Sequence, residues 1–191
     1  DSTVGLSPDG QSLFVYRFKM NDGGDIYQCE LSGDSWSKPK HLNKDINADY
    51  HESSACFNND GRTMYFVSDK EEGAMGGRYM YVARLDNPDA KICSKKRWGF
   101  AFSLSTILNT PYDEEGVFMH PDGKTLYFSS KGHQTMGGYD IFKAVYEDGM
   151  WSEPENMGYP INTPDDDVFF VMSASGKHGY YSSIKNEGKG E

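Results

Sequence analysis

The feature that most constrains the fold of this 191-residue chain is a repeat built around an Asp-Gly turn. Three clear copies occur, at residues 7–14 (SPDGQSLF), 58–66 (NNDGRTMYF) and 120–128 (HPDGKTLYF). A degenerate fourth copy follows at residues 173–181, so the copies begin 51, 62 and 53 residues apart. Self-similarity at a period of about 50 residues is typical of propellers and other repeat architectures, in which one unit cannot bury its own apolar face.

Three other markers recur in the same phase relative to this turn. A Gly-Gly pair opens an apolar run, a tryptophan follows, and an Asn stands shortly before the next copy. The Gly-Gly runs are residues 23–27, 76–81 and 137–142, the tryptophans are Trp36, Trp98 and Trp151, and the Asn segments are residues 46–49, 108–111 and 161–164. Because the markers keep one order in three units, the repeat reflects the fold and not a chance similarity.

Each unit has the pattern of four short strands. The Asp-Gly turn joins the first two strands, since Gly tolerates the positive φ that tight hairpins need. The Gly-Gly loop precedes the third strand, and the tryptophan marks the fourth. No segment shows a sustained apolar period of 3.6 residues, so little helix is expected. We therefore predict an all-β chain, a β-propeller of four-stranded blades that cover one another's faces.

The repeat divides the chain into about three and a half blades, which form one partial propeller over residues 1–191. The units are roughly 1–48, 49–110 and 111–163, with an incomplete fourth at 164–191. Since a closed propeller needs at least four complete blades, we expect the chain to be part of a longer polypeptide. The tryptophans are expected to fill the layers between blades. Pro39 and Pro154 fit outermost strands, where a missing N–H removes no ladder bond.

Charge and hydropathy argue against two classes of function. The formal net charge is −10 with no local cluster of Lys and Arg, so a nucleic-acid backbone would be repelled. No run of about 18 apolar residues is present, so no transmembrane segment is predicted. Cys29, Cys56 and Cys93 lack metal-ligand spacing. They are interpreted either as three buried thiols or as one disulfide and one free thiol.

The most suggestive polar cluster lies in the loops that precede the first strand of each unit. In a propeller these loops lie at one mouth of the central channel, so their acidic side chains are expected to face a common axis. The residues are Asp49 and Glu52 in the second unit, Asp113, Glu114 and Glu115 in the third, and Asp165, Asp166 and Asp167 in the fourth. Three interpretations stay open: turn residues that cap loop N–H groups, a docking surface for a basic protein, or a Ca²⁺ site.

No catalytic residue, metal ligand or cofactor is predicted, with Ca²⁺ the one ion that the acidic loops would suit. The chain has no Gly-x-Ser-x-Gly elbow and no His-x-Glu-x-x-His or Cys-x-x-Cys spacing. A glycoside hydrolase or a lyase would use carboxylates at a defined separation, and the acidic mouth could supply them. The sequence favours a non-catalytic binding or scaffold module and leaves such a propeller enzyme as the alternative.

The repeat resembles the WD40-like, TolB-type propeller repeats of periplasmic OmpA-family proteins of Bacteroidetes. The resemblance rests on residues 121–130 (PDGKTLYFSS), 136–142 (MGGYDIF), 151–154 (WSEP) and 160–163 (PINT), and it extends over nearly the whole chain. It implies a module of an outer-membrane-associated complex that faces the periplasm, binds protein partners of the cell envelope and serves type IX secretion.

The same resemblance implies that peptidoglycan is contacted only through a flanking domain that is not present in this sequence. The second unit departs from the family pattern at two places. Arg78, Tyr79 and Met80 stand where Asp-Ile is expected, and residues 86–100 carry an insertion.

Overall fold

The computed structural model describes residues 1–19, 23–70, 77–92, 94 and 97–184. Within them the chain forms antiparallel strands and no helix, which confirms the all-β prediction.

The first sheet contains β1 (Ser2–Leu6), β2 (Ser12–Lys19), β3 (Gly23–Ser32), β4 (Ser35–Trp36) and β5 (Lys40–His41). The second contains β6 (Glu52–Phe57), β7 (Thr63–Ser68), β8 (Tyr79–Arg84) and β9 (Phe102–Ser103). The third contains β10 (Glu114–Met119), β11 (Thr125–Ser130), β12 (Asp140–Glu147), β13 (Met150–Trp151) and β14 (Glu155–Asn156), and the fourth contains β15 (Asp167–Met172) and β16 (Gly179–Ser183).

The sheets follow one another in chain order and stack face to face. In each sheet the strands pair in sequence order, so the first strand of the unit lies at one edge. The four first strands, β1, β6, β10 and β15, contact one another in succession; we call them the inner strands. This radial succession is the arrangement of propeller blades, in which the innermost strands surround a central axis.

The hairpin after each inner strand has the same geometry in all four sheets. Gly10, Gly61, Gly123 and Gly176 have φ values of 69°, 62°, 72° and 68°. Each donates its N–H to the carbonyl oxygen three residues earlier. In the third copy the Asp122 carboxylate also accepts the N–H groups of Lys124 and Thr125. The Asp-Gly pair therefore works as predicted, with Gly supplying the left-handed backbone and Asp bonding the start of the next strand.

The outermost strand is split, which the sequence pattern did not predict. In the first sheet, β4 and β5 both pair with β3, on either side of Pro39. In the third sheet, β13 and β14 both pair with β12, on either side of Pro154. In the second sheet, Trp98 makes an isolated bridge to Leu85 ahead of β9. Proline has no N–H to donate to a ladder, so the strand is interrupted where each proline stands.

The core lies in layers between neighbouring sheets. Phe14, Phe66 and Trp98 belong to the layer between the first and second sheets, and Val67, Phe128 and Phe142 to the layer between the second and third. Trp98 is buried and Trp151 packs against Tyr65 of the preceding sheet, as expected. Trp36 is exposed instead, because no described sheet precedes the first one.

A β-bulge recurs in every inner strand. The pairing register shifts between residues 3 and 5, 52 and 55, 115 and 118, and 168 and 171. Such bulges increase local twist and change the direction of side chains. Two of the bulged residues, Gly116 and Phe169, have φ values of 61° and 59°. The bulges place residues of all four inner strands along one concave surface.

Candidate functional site

A groove of about 610 Å³ runs along the concave side of the inner strands. Thr3, Ser54, Val117 and Phe170 line it, one residue from each inner strand, so all four sheets contribute to the wall. We call this cavity the inner groove. Clefts of a few hundred Å³ that combine apolar walls with a few fixed polar groups are the usual form of binding sites.

A charged pair in the inner groove joins the second and third sheets. Arg78 Nη1 donates to Glu115 Oε2 at 2.7 Å, and Ser53 Oγ donates to Glu115 Oε1 at 2.6 Å. Burial opposes the charge on Arg78, but the Glu115 carboxylate raises its pKa overall. The ion pair fixes a charged guanidinium group on the wall of the groove.

A second polar pair joins the first and second sheets. Tyr16 Oη and His51 Nε2 lie 2.9 Å apart in a hydrogen bond, and both residues line the inner groove. Gly24 makes this contact possible, because a Cβ at that position would overlap the Tyr16 ring and the His51 imidazole. The two pairs together place a phenol, an imidazole and a guanidinium along one cavity, next to the exposed ring of Phe169.

Three of the predicted acidic residues lie inside the sheets and not on the surface. Glu52, Glu114 and Asp167 are each the first residue of an inner strand, and all are fully buried. They also set the alignment of the repeat: each pairs with the last Ser of the second strand, so Glu52, Glu114 and Asp167 occupy the same position. The exposed acidic mouth expected from the sequence therefore does not include these three carboxyl groups.

Burial changes the chemistry of two of these groups. It raises the pKa of Glu52 to about 9 and that of Glu114 to about 8, and hydrogen bonds from Ser68 to Glu52, and from Thr110 and Ser130 to Glu114, only partly oppose it. Both side chains are therefore neutral carboxylic acids at pH 7. Asp167 accepts the backbone N–H and the hydroxyl of Thr163, as Glu114 accepts those of Thr110. These contacts tie the loops before β10 and β15 to those strands.

The other predicted residues divide between the groove and its rim. Glu115 is buried in the ion pair with Arg78. Asp113 and Asp166 are partly exposed, and each accepts a backbone N–H, from Arg78 and from Tyr139. These hydrogen bonds join the loop before an inner strand to the residue that precedes the third strand of the previous sheet. Asp49 is exposed and Asp165 is partly exposed.

Two exposed tyrosines accompany these rim residues. Tyr50 follows Asp49, and Tyr112 precedes Asp113. We define the acidic rim by the aspartates and tyrosines of these three loops that reach solvent: Asp49, Tyr50, Tyr112, Asp113, Asp165 and Asp166. The inner strands begin here, so the rim lies at the end of the molecule where they start.

Within the described residues, no group of three or more His, Cys, Asp or Glu side chains is arranged to hold a metal ion. Among those residues there is also no helix of sufficient length and apolarity to cross a membrane. Cys29 and Cys56 are buried free thiols, and Cys93 lies outside the described residues.

Sequence reasoning missed Arg78, Tyr16 and Phe169 as residues of the site. Arg78 had a signal, since it stands where the repeat departs from its pattern. Tyr16 and Phe169 had none, because their positions within an aromatic-rich strand are indistinguishable from core positions until the bulge is known.

The chain is similar to solved propeller structures. TolB from Acinetobacter baumannii matches at 17% identity and a TM-score of 0.59, over 95% of this chain and 37% of that chain. A putative TolB from Agrobacterium tumefaciens matches at 16% identity and a TM-score of 0.57, over 96% and 58% of the two chains. Hydrazine synthase from Kuenenia stuttgartiensis matches at 15% identity and a TM-score of 0.53, over 92% and 47%.

No protein-family model and no curated protein sequence matches the chain. The chain spans less than two thirds of the length of each of these three structures. At such identities the likeness concerns architecture alone. Together with the stacked sheets and the contacting inner strands, it shows that this chain has the β-propeller fold of the TolB proteins.

Proposed function

We propose that this chain is a non-catalytic, protein-binding scaffold module of a periplasmic, outer-membrane-associated complex. The observation that carries the proposal is the acidic rim, in which exposed tyrosines stand beside carboxylates at the end of the molecule where the inner strands begin. Tyrosine is enriched in protein interfaces because its ring buries a large area while its hydroxyl stays hydrogen-bonded. The partner is a protein of the cell envelope with a basic surface.

The location follows from the resemblance of the repeats to those of periplasmic OmpA-family proteins. Within that family the resemblance favours an accessory role in type IX secretion, with peptidoglycan contacted through a separate domain. The TolB-type architecture supports a module of this kind, since it offers loop rims on a rigid scaffold.

The absence of catalysis and of a cofactor is part of the proposal. It is supported by the roles of the carboxyl groups that a glycosidase would use: Glu52, Glu114 and Asp167 are enclosed and hydrogen-bonded to neighbouring strands and loops. Glycoside turnover that Glu115→Gln abolishes would favour the enzyme instead. A melting temperature that rises on addition of Ca²⁺ would contradict the absence of a cation.

The experiment is a capture comparison with charge-reversed proteins. The wild type, the double variant Asp49→Lys/Asp165→Lys and a matched control Asp34→Lys/Glu153→Lys are immobilised, and envelope proteins are passed over each. The two variants change net charge equally, but only the first alters the rim. We expect a basic envelope protein to bind the wild type and the control and to lose about tenfold in affinity for the rim variant, in a salt-dependent manner. Equal retention by all three would contradict the proposal.

A further inference from the structure

A second cleft, of about 390 Å³, lies between the first and second sheets. Its walls are the hairpin turns that follow β1 and β6, together with the insertion of the second unit at residues 86–100. Gln28 of β3 lines it, as do Arg97 and Trp98 of the insertion. All of its lining residues belong to the first two sheets, and its volume falls within the range of small-molecule sites. We call this cavity the insertion cleft.

Three polar groups in the walls of the insertion cleft lack a hydrogen-bond partner. Gln28 and Trp98 are each 2% exposed, yet Gln28 Oε1 and Trp98 Nε1 are unpaired. Arg97 Nε is also buried and unpaired, although Arg97 Nη1 donates to the carbonyl oxygens of Pro88 and Ala90. Buried polar groups are almost always paired in native proteins. Three unpaired groups around one cleft therefore indicate a ligand that bonds them.

The corresponding cleft between the second and third sheets shows that these groups are not needed to close a layer. Val82 stands there in the place of Gln28, since each pairs with the residue four positions after the turn glycine. Trp151 stands in the place of Trp98 and packs against Tyr65. Among the described residues that line this cleft, none has a buried side-chain atom without a partner.

The charge on Arg97 determines the kind of ligand. Burial lowers the pKa of Arg97, and Glu30 and Asp89 only partly oppose this effect. Among the described residues, no carboxylate forms an ion pair with Arg97. A guanidinium group beside a second N–H donor suits the two oxygens of a carboxylate. We propose that the insertion cleft binds a small organic acid, whose carboxylate accepts from Arg97 and Trp98 and whose adjacent amide or hydroxyl bonds Gln28.

Two acidic side chains at the insertion cleft favour a carboxylate over a phosphate. Asp9 and Asp60 line the cleft. A hydrogen bond from the Ser7 hydroxyl lowers the pKa of Asp9. Burial opposes the charge on Asp60, but hydrogen bonds from Arg62 and Thr63 lower its pKa overall. Both are therefore ionised at pH 7, and they repel a phosphate, with its nearly two charges, more strongly than a singly charged carboxylate.

The test observes the indole N–H of Trp98 in the wild-type chain. The chain has 3 tryptophans, so their indole signals in a ¹⁵N–¹H correlation spectrum are assigned with the variants Trp36→Phe and Trp151→Phe. The probe is N-acetylglycine, which carries a carboxylate beside an amide. N-acetylglycinamide, which lacks the charge, is its matched control, and inorganic phosphate is a third probe.

We expect the Trp98 signal to move saturably with N-acetylglycine, while the other two indole signals stay in place. N-acetylglycinamide should bind at least about tenfold more weakly, because it offers no charge to Arg97. Phosphate should give no saturable movement. The comparison of probes uses the wild-type chain, so it holds even if a variant folds poorly.

A pair of variants tests the role of Arg97. Arg97→Met and Arg84→Met each remove one positive charge, but Arg84 is exposed and lines the corresponding cleft of the next layer. Arg97→Met should weaken binding of N-acetylglycine at least about tenfold, and Arg84→Met should leave it unchanged. Gln28→Met, which removes the amide, should weaken it about fivefold. Melting curves verify that each variant is folded.

Three results would overturn the inference. The first is the absence of a saturable movement of the Trp98 signal, and the second is equal affinity for N-acetylglycine and N-acetylglycinamide. The third is saturable movement with phosphate alone, which would assign the cleft to a different anion. The insertion cleft lies at the opposite end of the inner strands from the acidic rim, so none of these results bears on the proposed function.

Discussion

The layer between the second and third sheets and the layer between the third and fourth sheets are built from the same repeat, yet they differ in how completely they exclude water. In the former, Phe128 and Phe142 stack, and Leu104 and Leu108 from the outer segment close the layer. In the latter, Tyr127 packs on Phe170 with centroids 4.9 Å apart. Tyr181, which occupies the repeat position of Phe128, is 39% exposed, whereas Phe128 is 0% exposed. The comparison teaches that burial at a repeat position depends on the strands that cover it, of which the described part of the fourth sheet has two, β15 and β16.

The largest expected effect comes from equivalent aromatic positions in the two regions. Phe128→Ala should lower the free energy of unfolding by about 4 kcal/mol, because it leaves a cavity in a closed layer. Tyr181→Ala should cost less than about 1 kcal/mol, because that ring is partly in water. Urea denaturation followed by circular dichroism measures both. Equal losses would mean that the fourth sheet is as well covered as the third.

The Asn residues that precede the inner strands provide the next comparison. Asn109 is buried, accepts the N–H of Met80 and donates to the Met80 carbonyl and to Leu104. Asn162 bonds Ile141 in the same way in the third sheet. Each Asn→Ala change leaves a buried backbone N–H without a partner, at a cost of about 2 kcal/mol. The carbonyl oxygens of Met80 and Ile141 still accept the N–H groups of Leu104 and Met157.

Amide hydrogen exchange locates this effect. In Asn109→Ala the Met80 amide should lose protection while the Ile141 amide keeps it, and the reverse should hold for Asn162→Ala. If both amides lost protection in both variants, the two layers would open as one unit.

The buried acids predict a pH dependence that is specific to the second and third sheets. The pKa of Glu52 is raised to about 9 and that of Glu114 to about 8 by burial, so the folded chain retains protons that the unfolded chain releases near pH 4.5. The stability that these two groups contribute is therefore fully present below about pH 4.5 and is lost as the pH rises from there to 8–9. We expect each group to contribute a loss of at least about 1.4 kcal/mol.

Melting curves between pH 5 and pH 9 measure this dependence. Glu52→Gln and Glu114→Gln should each flatten it, since an amide does not titrate. Glu153→Gln, at an exposed acid, serves as the control. An unchanged slope in both buried variants would assign the pH dependence to other groups.

The smallest expected effect concerns the hairpin turns. Asp122→Ala removes the carboxylate that bonds the N–H groups of Lys124 and Thr125 and should cost about 1 kcal/mol. The fourth sheet has Ser175 at the equivalent position, so Ser175→Asp should stabilise its hairpin by up to about the same amount. Urea midpoints of the two variants should move in opposite directions. A loss in Ser175→Asp would show that the fourth turn is not interchangeable with the third.

The fold was predictable from the sequence because each unit of the repeat can be compared with the others in the same chain. Asp-Gly, Gly-Gly and Trp recur in phase, and each has a local physical role that a single sequence reveals. The outermost strand is split at Pro39 and Pro154 because proline has no N–H to donate to the ladder. From the sequence, these prolines indicated only that the strand lies at the edge of its sheet.

The site was less predictable. An acidic residue before a strand has the same appearance whether it reaches solvent, as Asp49 does, or is enclosed, as Glu52 is. The difference arises from a one-residue register and a bulge, and sequence pattern does not specify either. Whether the acidic rim binds a partner stays a prediction.

The Asn contacts have a consequence for where this chain tolerates additional sequence. Asn47, Asn109 and Asn162 each fasten the connection into the next sheet to the third strand of the sheet just completed. Extra residues in those connections would break the Asn hydrogen bonds. The second unit carries its insertion at residues 86–100, outside the connection that contains Asn109. Tags, epitopes or grafted loops therefore belong at the outer circumference, and the connections between sheets should keep their length.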